Sequence, residues 1–269
     1  MSAPRSRVLK VALAGNPNAG KTTLFNALTG AHHKVGNYPG VTVEKREGSR
    51  VRGGREYRFV DLPGIYSLTA YSIDEVVTRD FLLDEKPDLI VDVLDSTNLE
   101  RHLYLCLQIQ ELGIPVVGAL NMSDEAEAKG IRVDEKALGE LLGLPMAKTV
   151  GTKGGGVDAL LDLVDAVADA AADAAAIPAA AAGRPDAERR KSVHYGEELE
   201  ARLAPVERAV AADPAFAARF PARWLAVKLL EKDANAAERL GAHRDADKVR
   251  ALAAESIAWI EKHYGKDAE

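Results

Sequence analysis

A short run near the amino terminus carries the first recognisable chemistry. Gly15, Asn16, Pro17, Asn18, Ala19, Gly20, Lys21 and Thr22 fit the pattern G-x4-G-K-[ST], with Thr23 following. Glycines at the two ends let the amide N–H groups between them turn inward around phosphate oxygens. A helix opening at the lysine adds the partial positive charge of its first turn. Lys21 supplies a compact cation for the terminal phosphates, and the Thr22 hydroxyl is a hard oxygen of the kind Mg²⁺ takes. Asp61-Leu62-Pro63-Gly64 supplies the complementary set: Asp61 to hold the same Mg²⁺ through water, and the Gly64 N–H to meet a γ-phosphate.

Asn121-Met122-Ser123-Asp124 addresses the other end of a nucleotide. The pattern N-x-x-D resembles the guanine-specificity motif of translation-factor-type GTPases. The Asp124 carboxylate accepts from guanine N1–H and the N2 amine; adenine offers neither. Each such bond to a charged group is worth about 1.5–3 kcal/mol, so two favour GTP over ATP by roughly two powers of ten or more. Met122 stands where Lys is usual and covers the base without a charge. Val150, Gly151 and Thr152 form a looser base-contacting loop acting through its backbone, with Val150-Gly151 in place of the usual Ser-Ala.

Between these motifs, Ala31–Thr42 contains Gly36, Pro39 and Gly40, which argue against regular structure and for a mobile switch. Gly40, Val41 and Thr42 are expected to face the nucleotide, with Thr42 binding Mg²⁺ and the γ-phosphate. His32 and His33 read as solvated loop residues rather than metal ligands. The catalytic set is therefore Asn18, Lys21, Thr42 and Gly64. Ile65 occupies the position where many GTPases place a water-orienting Gln. Two substitutes are open: a partner acting in trans, or a K⁺ ion that draws charge off the β–γ bridge, for which Asn18 is the ligand candidate.

These residues must be positioned by strand ends. Val8–Ala14 is a buried-strand run, and Leu24, Phe25 and Leu28 mark the helix after it. Val43–Val51 and Tyr57–Val60 flank Gly53-Gly54 as an antiparallel hairpin. Asp88–Leu94 and Ile114–Leu120 read as strands enclosing a helix from Asn98 to Leu112, with Thr97 and Glu100 at capping-box spacing and Gly113 as the stop. Pro145–Val150 is a weaker strand, and a helix follows from Val157. The alternation predicts an α/β fold with a mostly parallel sheet covered by helices and one antiparallel strand at its edge. Ligands of such sheets sit at the carboxyl ends of the strands.

Composition shifts near Ala166. We expect a nucleotide-binding domain over 1–170, an Ala-rich helix end and linker over 171–186, and a small all-α domain over 187–269. Arg223–Glu231 is one of its helices, and Ala253, Ile257, Ile260 and Tyr264 form an apolar stripe on another. A net charge of −6 lacks the basic footprint of a nucleic-acid binder, which disfavours a stand-alone GTPase of ribosome assembly or RNA modification. A single cysteine, Cys106, forms no internal disulfide, fits a reducing compartment and reads as an inert core residue. No apolar run approaches ~18 residues, and the first residues lack a signal-peptide core.

The runs 15–26, 35–44, 61–68, 95–101 and 121–124 together resemble the ferrous iron transport protein B (FeoB) family, and 223–231 resembles its helical domain. Ala19 stands where that family often has Ser. The resemblance implies a P-loop GTPase domain whose helical companion stabilises bound GDP, with slow, K⁺-stimulated GTP hydrolysis and Asn18 as the K⁺ ligand. It implies a membrane permease for Fe²⁺ beyond Glu269, and hence a cytoplasmic fragment from the inner face of a bacterial inner membrane. Small accessory iron-transport proteins are expected partners, and a homo-oligomer is left open. A regulatory module with negligible hydrolysis is the competing reading that Ile65 keeps alive. Asp124→Asn is expected to weaken GTP binding by about two powers of ten and to shift base preference toward xanthine, as read by competition with xanthosine triphosphate.

Overall fold

The computed structural model describes residues 8–30, 33–69, 71–176 and 193–265. These divide into two compact units: the described residues of 1–110 and 114–191, and those of 111–113 and 192–269.

The first unit runs β1 (Leu9–Ala14), α1 (Lys21–Thr29), β2 (His33–Asn37), β3 (Glu44–Arg52), β4 (Arg55–Asp61), α2 (Ile73–Asp80), β5 (Leu89–Asp95), α3 (Leu99–Glu111), β6 (Val116–Asn121), α4 (Ser123–Ala128), α5 (Glu135–Leu142), β7 (Met146–Lys148) and α6 (Val157–Ala176). The strands form one sheet in the order β2-β3-β4-β1-β5-β6-β7. From β4 to β7 every pairing is parallel. Such strands are covered on both faces and need continuous apolar runs. Val11, Leu13, Val91, Val93, Val117 and Ala119 accordingly have no exposed surface, and they pack with Phe25, Leu28, Leu160, Leu161 and Val164.

Three expectations are corrected. The 31–42 segment is not wholly irregular, since residues 33–37 form β2, antiparallel to β3 from His33↔Gly48 to Asn37↔Glu44. The sheet thus carries two antiparallel pairings at that edge, with β3 as its one reversed strand, as expected, and β2 as an additional edge strand beyond it. All five residues of β2 are exposed, and a strand with both faces in solvent needs no apolar alternation, so the pattern signal is absent. Pro39 and Gly40 turn the chain, closed by Tyr38 N–H to Val43 O at 2.9 Å, while the Tyr38 ring is buried. Second, α3 opens at Leu99, so Thr97 does not occupy its N-cap; the Thr97 N–H donates to Asp95 Oδ1. A capping box forms instead at Ser72 and Glu75, which opens α2.

The carboxylates Asp158, Asp162, Asp165 and Asp169 share one face of α6 at helical spacing and meet the hairpin of β3 and β4. Arg52 pairs with Asp162 at 2.7 Å, and Arg55 pairs with Asp165 and Asp169 at 2.5 Å each. The Tyr57 hydroxyl donates to Asp165 at 2.8 Å, and burial with this bond pushes its phenol up to about 12.

The second unit contains α7 (Glu197–Ala211), α8 (Pro214–Ala217), α9 (Ala222–Leu230), α10 (Ala234–Arg239) and α11 (Ala246–Tyr264). Leu203, Val206, Val210, Trp224, Leu225, Leu240 and Val249 form its core. The third correction falls here. The buried face of α11 is Val249, Ala253 and Ser256, whereas Tyr264 is exposed and its hydroxyl donates to Glu198. Arg223 is bound by Glu200 at 2.7 Å and by the Val193 carbonyl.

Asp92 is the anomaly of the first core. It lies on β5, 1% exposed, beside the Cys106 thiol, and burial raises its carboxyl to about 7. The folded state therefore keeps a proton that the unfolded chain releases near pH 4. Stability is highest below that point, falls as pH rises, and the penalty is complete above about pH 7. Asp92→Asn is expected to remove this fall and raise Tm at pH 8 by at least about 3 °C, while changing little at pH 5, in thermal melts at the two pH values.

Candidate functional site

The carboxyl ends of β1, β4 and β6 bring the three motifs together. β1 ends at Ala14, the loop 15–20 follows, and α1 begins at Lys21. Gly20 sits at φ 76°, and a Cβ there would stand 2.3 Å from Asn121 Nδ2, so both conformation and space require glycine. Asn18 is exposed in the same left-handed region, φ 66°, which suits asparagine whatever else its amide does.

Parallel pairing places Asp61 beside Leu13, level with the start of the loop. Lys21 Nζ lies 2.5 Å from Asp61 Oδ1, and the Thr22 hydroxyl donates to Asp61 Oδ2 at 2.9 Å. The side chains of Lys21 and Asp61 are 9% and 4% exposed. An isolated charge in such a place costs several kcal/mol, and the opposite charge together with the hydroxyl offsets it. Thr22 Oγ1 and Asp61 Oδ2 are two hard oxygens in hydrogen-bond contact next to a buried ammonium. That donor set fits Mg²⁺ bound beside a phosphate chain. Gly64 packs against the loop, where a Cβ would stand 3.1 Å from Pro17 Cα. Ile65 is 2% exposed, and its N–H donates to Gly15 O at 3.3 Å, so its side chain belongs to the core.

At the base end, Asn121 is buried and joins three segments. Its Nδ2 donates to Ala19 O at 2.9 Å, while Oδ1 accepts from Gly151 N–H at 3.0 Å and from the Thr149 hydroxyl at 3.3 Å. Met122 adopts φ 56° and its methyl lies against Gly20. The Asp124 carboxylate is only partly covered and pairs with Lys153 Nζ at 2.6 Å, which holds its pKa below the usual range. In the 150–152 loop the amides of Val150 and Gly151 are committed to Gly155 O and Asn121 Oδ1, and Thr152 is exposed.

The remaining sequence-derived candidates lie further from this cluster. Gly40 and Thr42 are exposed and Val41 half-buried on the turn between β2 and β3, and among the described residues no hydrogen bond joins Thr42 to Lys21, Thr22 or Asp61. Thr23 is exposed on α1. His33 is on β2 with its ring edge-on to Phe25, and His32 lies outside the described residues. Sequence reasoning missed Lys153, although a cation two residues after Gly151 is a visible signal. It also missed two contacts of α3: Asn16 Nδ2 donates to Arg101 O at 3.1 Å, and Leu68 N–H donates to Gln108 Oε1 at 2.7 Å. No local pattern announces these.

Comparison with known proteins gives concordant results. The family model described as ferrous iron transport protein B matches residues 9–164, and that of the FeoB cytosolic helical domain matches 195–269. The chain is 43% identical over 231 residues to an Fe(2+) transport protein A/Fe(2+) transporter FeoB fusion protein of Porphyromonas gingivalis, covering 86% of this chain and 26% of that protein. It is 40% identical over 229 residues to the Fe(2+) transporter FeoB of Escherichia coli K12, covering 84% and 27%. The chain thus spans about a quarter of the length of the curated relatives it matches. Among solved structures, a point variant of S. thermophilus NFeoB bound to mGDP superposes with a TM-score of 0.79 at 35% identity, covering 97% of this chain and 92% of that one. The cytosolic domain of the T. maritima FeoB iron transporter in apo form gives 0.73 at 35% identity, covering 95% and 97%. These likenesses extend over a P-loop GTPase fold followed by a helical domain.

Asn121→Ala removes the acceptor of Gly151 N–H and the donor to Ala19 O together. Guanine nucleotide affinity is expected to drop about 100-fold with helical content retained, measured by fluorescent-GDP titration and circular dichroism.

Proposed function

Because this chain belongs to the ferrous iron transport protein B family, we propose that it is the guanine-nucleotide-binding and GTP-hydrolysing part of a ferrous iron transporter. The convergence of Lys21, Thr22 and Asp61 within 2.9 Å at a P-loop carries the reading. Lys21 exchanges Asp61 for the β- and γ-phosphate oxygens, keeping its positive charge compensated throughout. Thr22 and Asp61 are the residues that would hold Mg²⁺, with Thr42 joining them from the turn after β2. Mg²⁺, when bound, neutralises charge developing on the phosphates. Asp124 selects guanine once released from Lys153, and Met122 lies along the same wall.

Hydrolysis is slow in this reading because the buried Ile65 offers no hydrogen bond to the attacking water. The exposed Asn18 of the P-loop would hold K⁺, which would supply the missing stabilisation by drawing charge off the β–γ bridge. In this reading a nucleotide-binding domain takes 1–170, an Ala-rich helix end and linker takes 171–186, of which 177–186 lie outside the described residues, and a helical domain over 187–269 stabilises the GDP-bound form. The nucleotide state regulates an Fe²⁺ permease on whose cytoplasmic side this part lies. The relative in which transport proteins A and B are fused supports small accessory proteins as partners. Among the described residues no helix is long and apolar enough to cross a membrane, so the permease role is assigned to the remainder of the longer relatives.

Turnover of GTP in K⁺ against Na⁺ tests this function, and Asn18→Gly is the informative variant. Glycine keeps the left-handed backbone that Ala would strain by about 1 kcal/mol. The variant is expected to retain GDP affinity within about threefold and to lose the K⁺ stimulation. An unchanged K⁺ response removes Asn18 as the ligand, and zero turnover of the unaltered protein in both salts removes the hydrolytic reading.

A further inference from the structure

The segment after Gly64 is fastened at both ends. Its beginning is tied to the P-loop by Ile65 N–H donating to Gly15 O, with the Ile65 side chain buried. Its far end is tied to α3, where the Leu68 N–H donates to Gln108 Oε1 at 2.7 Å, wholly out of water. Between these points Tyr66 is exposed, and the Arg101 guanidinium lies over its ring at 4.4 Å. Arg101 also accepts through its backbone carbonyl from Asn16 Nδ2 in the P-loop. Arg101 and Gln108 are seven residues apart and therefore share one face of α3. A single helix face thus supports the phosphate loop and the strap that carries Gly64.

The Gln108 contact has a second feature. A backbone N–H needs an acceptor, so Oε1 must face Leu68. That orientation leaves Nε2 buried without a hydrogen-bond partner among the described residues. A half-satisfied amide inside a protein is destabilising and favours any rearrangement that brings it an acceptor.

We propose that Gln108 is a positioning residue for GTP hydrolysis. It holds residues 65–68 so that Gly64 faces the terminal phosphate, and Arg101 braces the same strap through Tyr66. This rests on the GTPase reading above. Neither residue touches the nucleotide in this role, so their loss lowers kcat and leaves GDP binding in place.

Gln108→Met keeps the side-chain length and removes the acceptor. It is expected to speed hydrogen exchange of the Leu68 amide about tenfold and to lower kcat about tenfold, with KM and GDP affinity within about twofold of the starting protein. Gln108→Glu retains an acceptor oxygen and should restore both Leu68 protection and most of kcat. Faster Leu68 exchange with unchanged kcat overturns the proposal, and so does a parallel loss of kcat and GDP affinity. If Gln108→Met is unfolded at the assay temperature, Arg101→Gln decides on an exposed side chain: kcat about threefold lower at constant GDP affinity is expected, and unchanged kcat overturns it. An unaltered protein without GTP turnover sinks the GTPase reading itself. An active one whose variants are equally active sinks only this inference.

Discussion

A buried ammonium and a buried carboxylate 2.5 Å apart constrain everything else in the site. Removing Lys21 or Asp61 alone would strand the other charge in a place that water barely reaches, at a cost of about 3–5 kcal/mol. The pair can exist only if β1 and β4 run parallel in the observed register and α1 starts at the loop's last glycine. In the function proposed above, a phosphate chain would take over the same ammonium, and a divalent cation the same carboxylate and the Thr22 hydroxyl. The cluster is therefore stable in itself and chemically ready to exchange partners.

The base end follows another logic. Asn121 is buried and spends its amide on the protein, tying Ala19 of the phosphate loop to Gly151 of the base loop. Asp124, three residues later, stays partly exposed and holds only the flexible ammonium of Lys153. An exposed pair of this kind is weak because solvent screens it, and in the proposed function two charge-assisted bonds to guanine outweigh it. One residue of the motif thus fixes the scaffold while the other remains available to a ligand.

The sequence made the parallel strands legible because strands buried on both faces must be continuously apolar, as Val11–Ala14 and Val116–Leu120 are. Lys21, Thr22 and Asp61 were legible because phosphate chemistry leaves few residue types to choose from. β2 was not, since its five exposed residues carry no periodicity and its pairing is set by the Pro39-Gly40 turn and the buried Tyr38. Ile65 was recognised as a missing Gln, but not as a core residue anchored to Gly15. Gln108 and Arg101 were invisible because their contacts join positions 35–85 residues apart through single hydrogen bonds or a ring face, and no local pattern records such pairings. On α11 the expected stripe drifted by about a turn, leaving Tyr264 at the surface with Glu198.

The central claim is that one cage of backbone amides, Lys21 and the Asp61–Thr22 pair accepts a phosphate chain whose base is chosen by Asp124. Equilibrium titration with a fluorescent guanine nucleotide, in the presence and absence of Mg²⁺ and with ATP as competitor, tests it most directly. Saturable binding that Mg²⁺ strengthens for the triphosphate and that about 100-fold excess ATP fails to displace is the predicted result. Absence of a saturable signal, or displacement by ATP as readily as by GTP, contradicts the account.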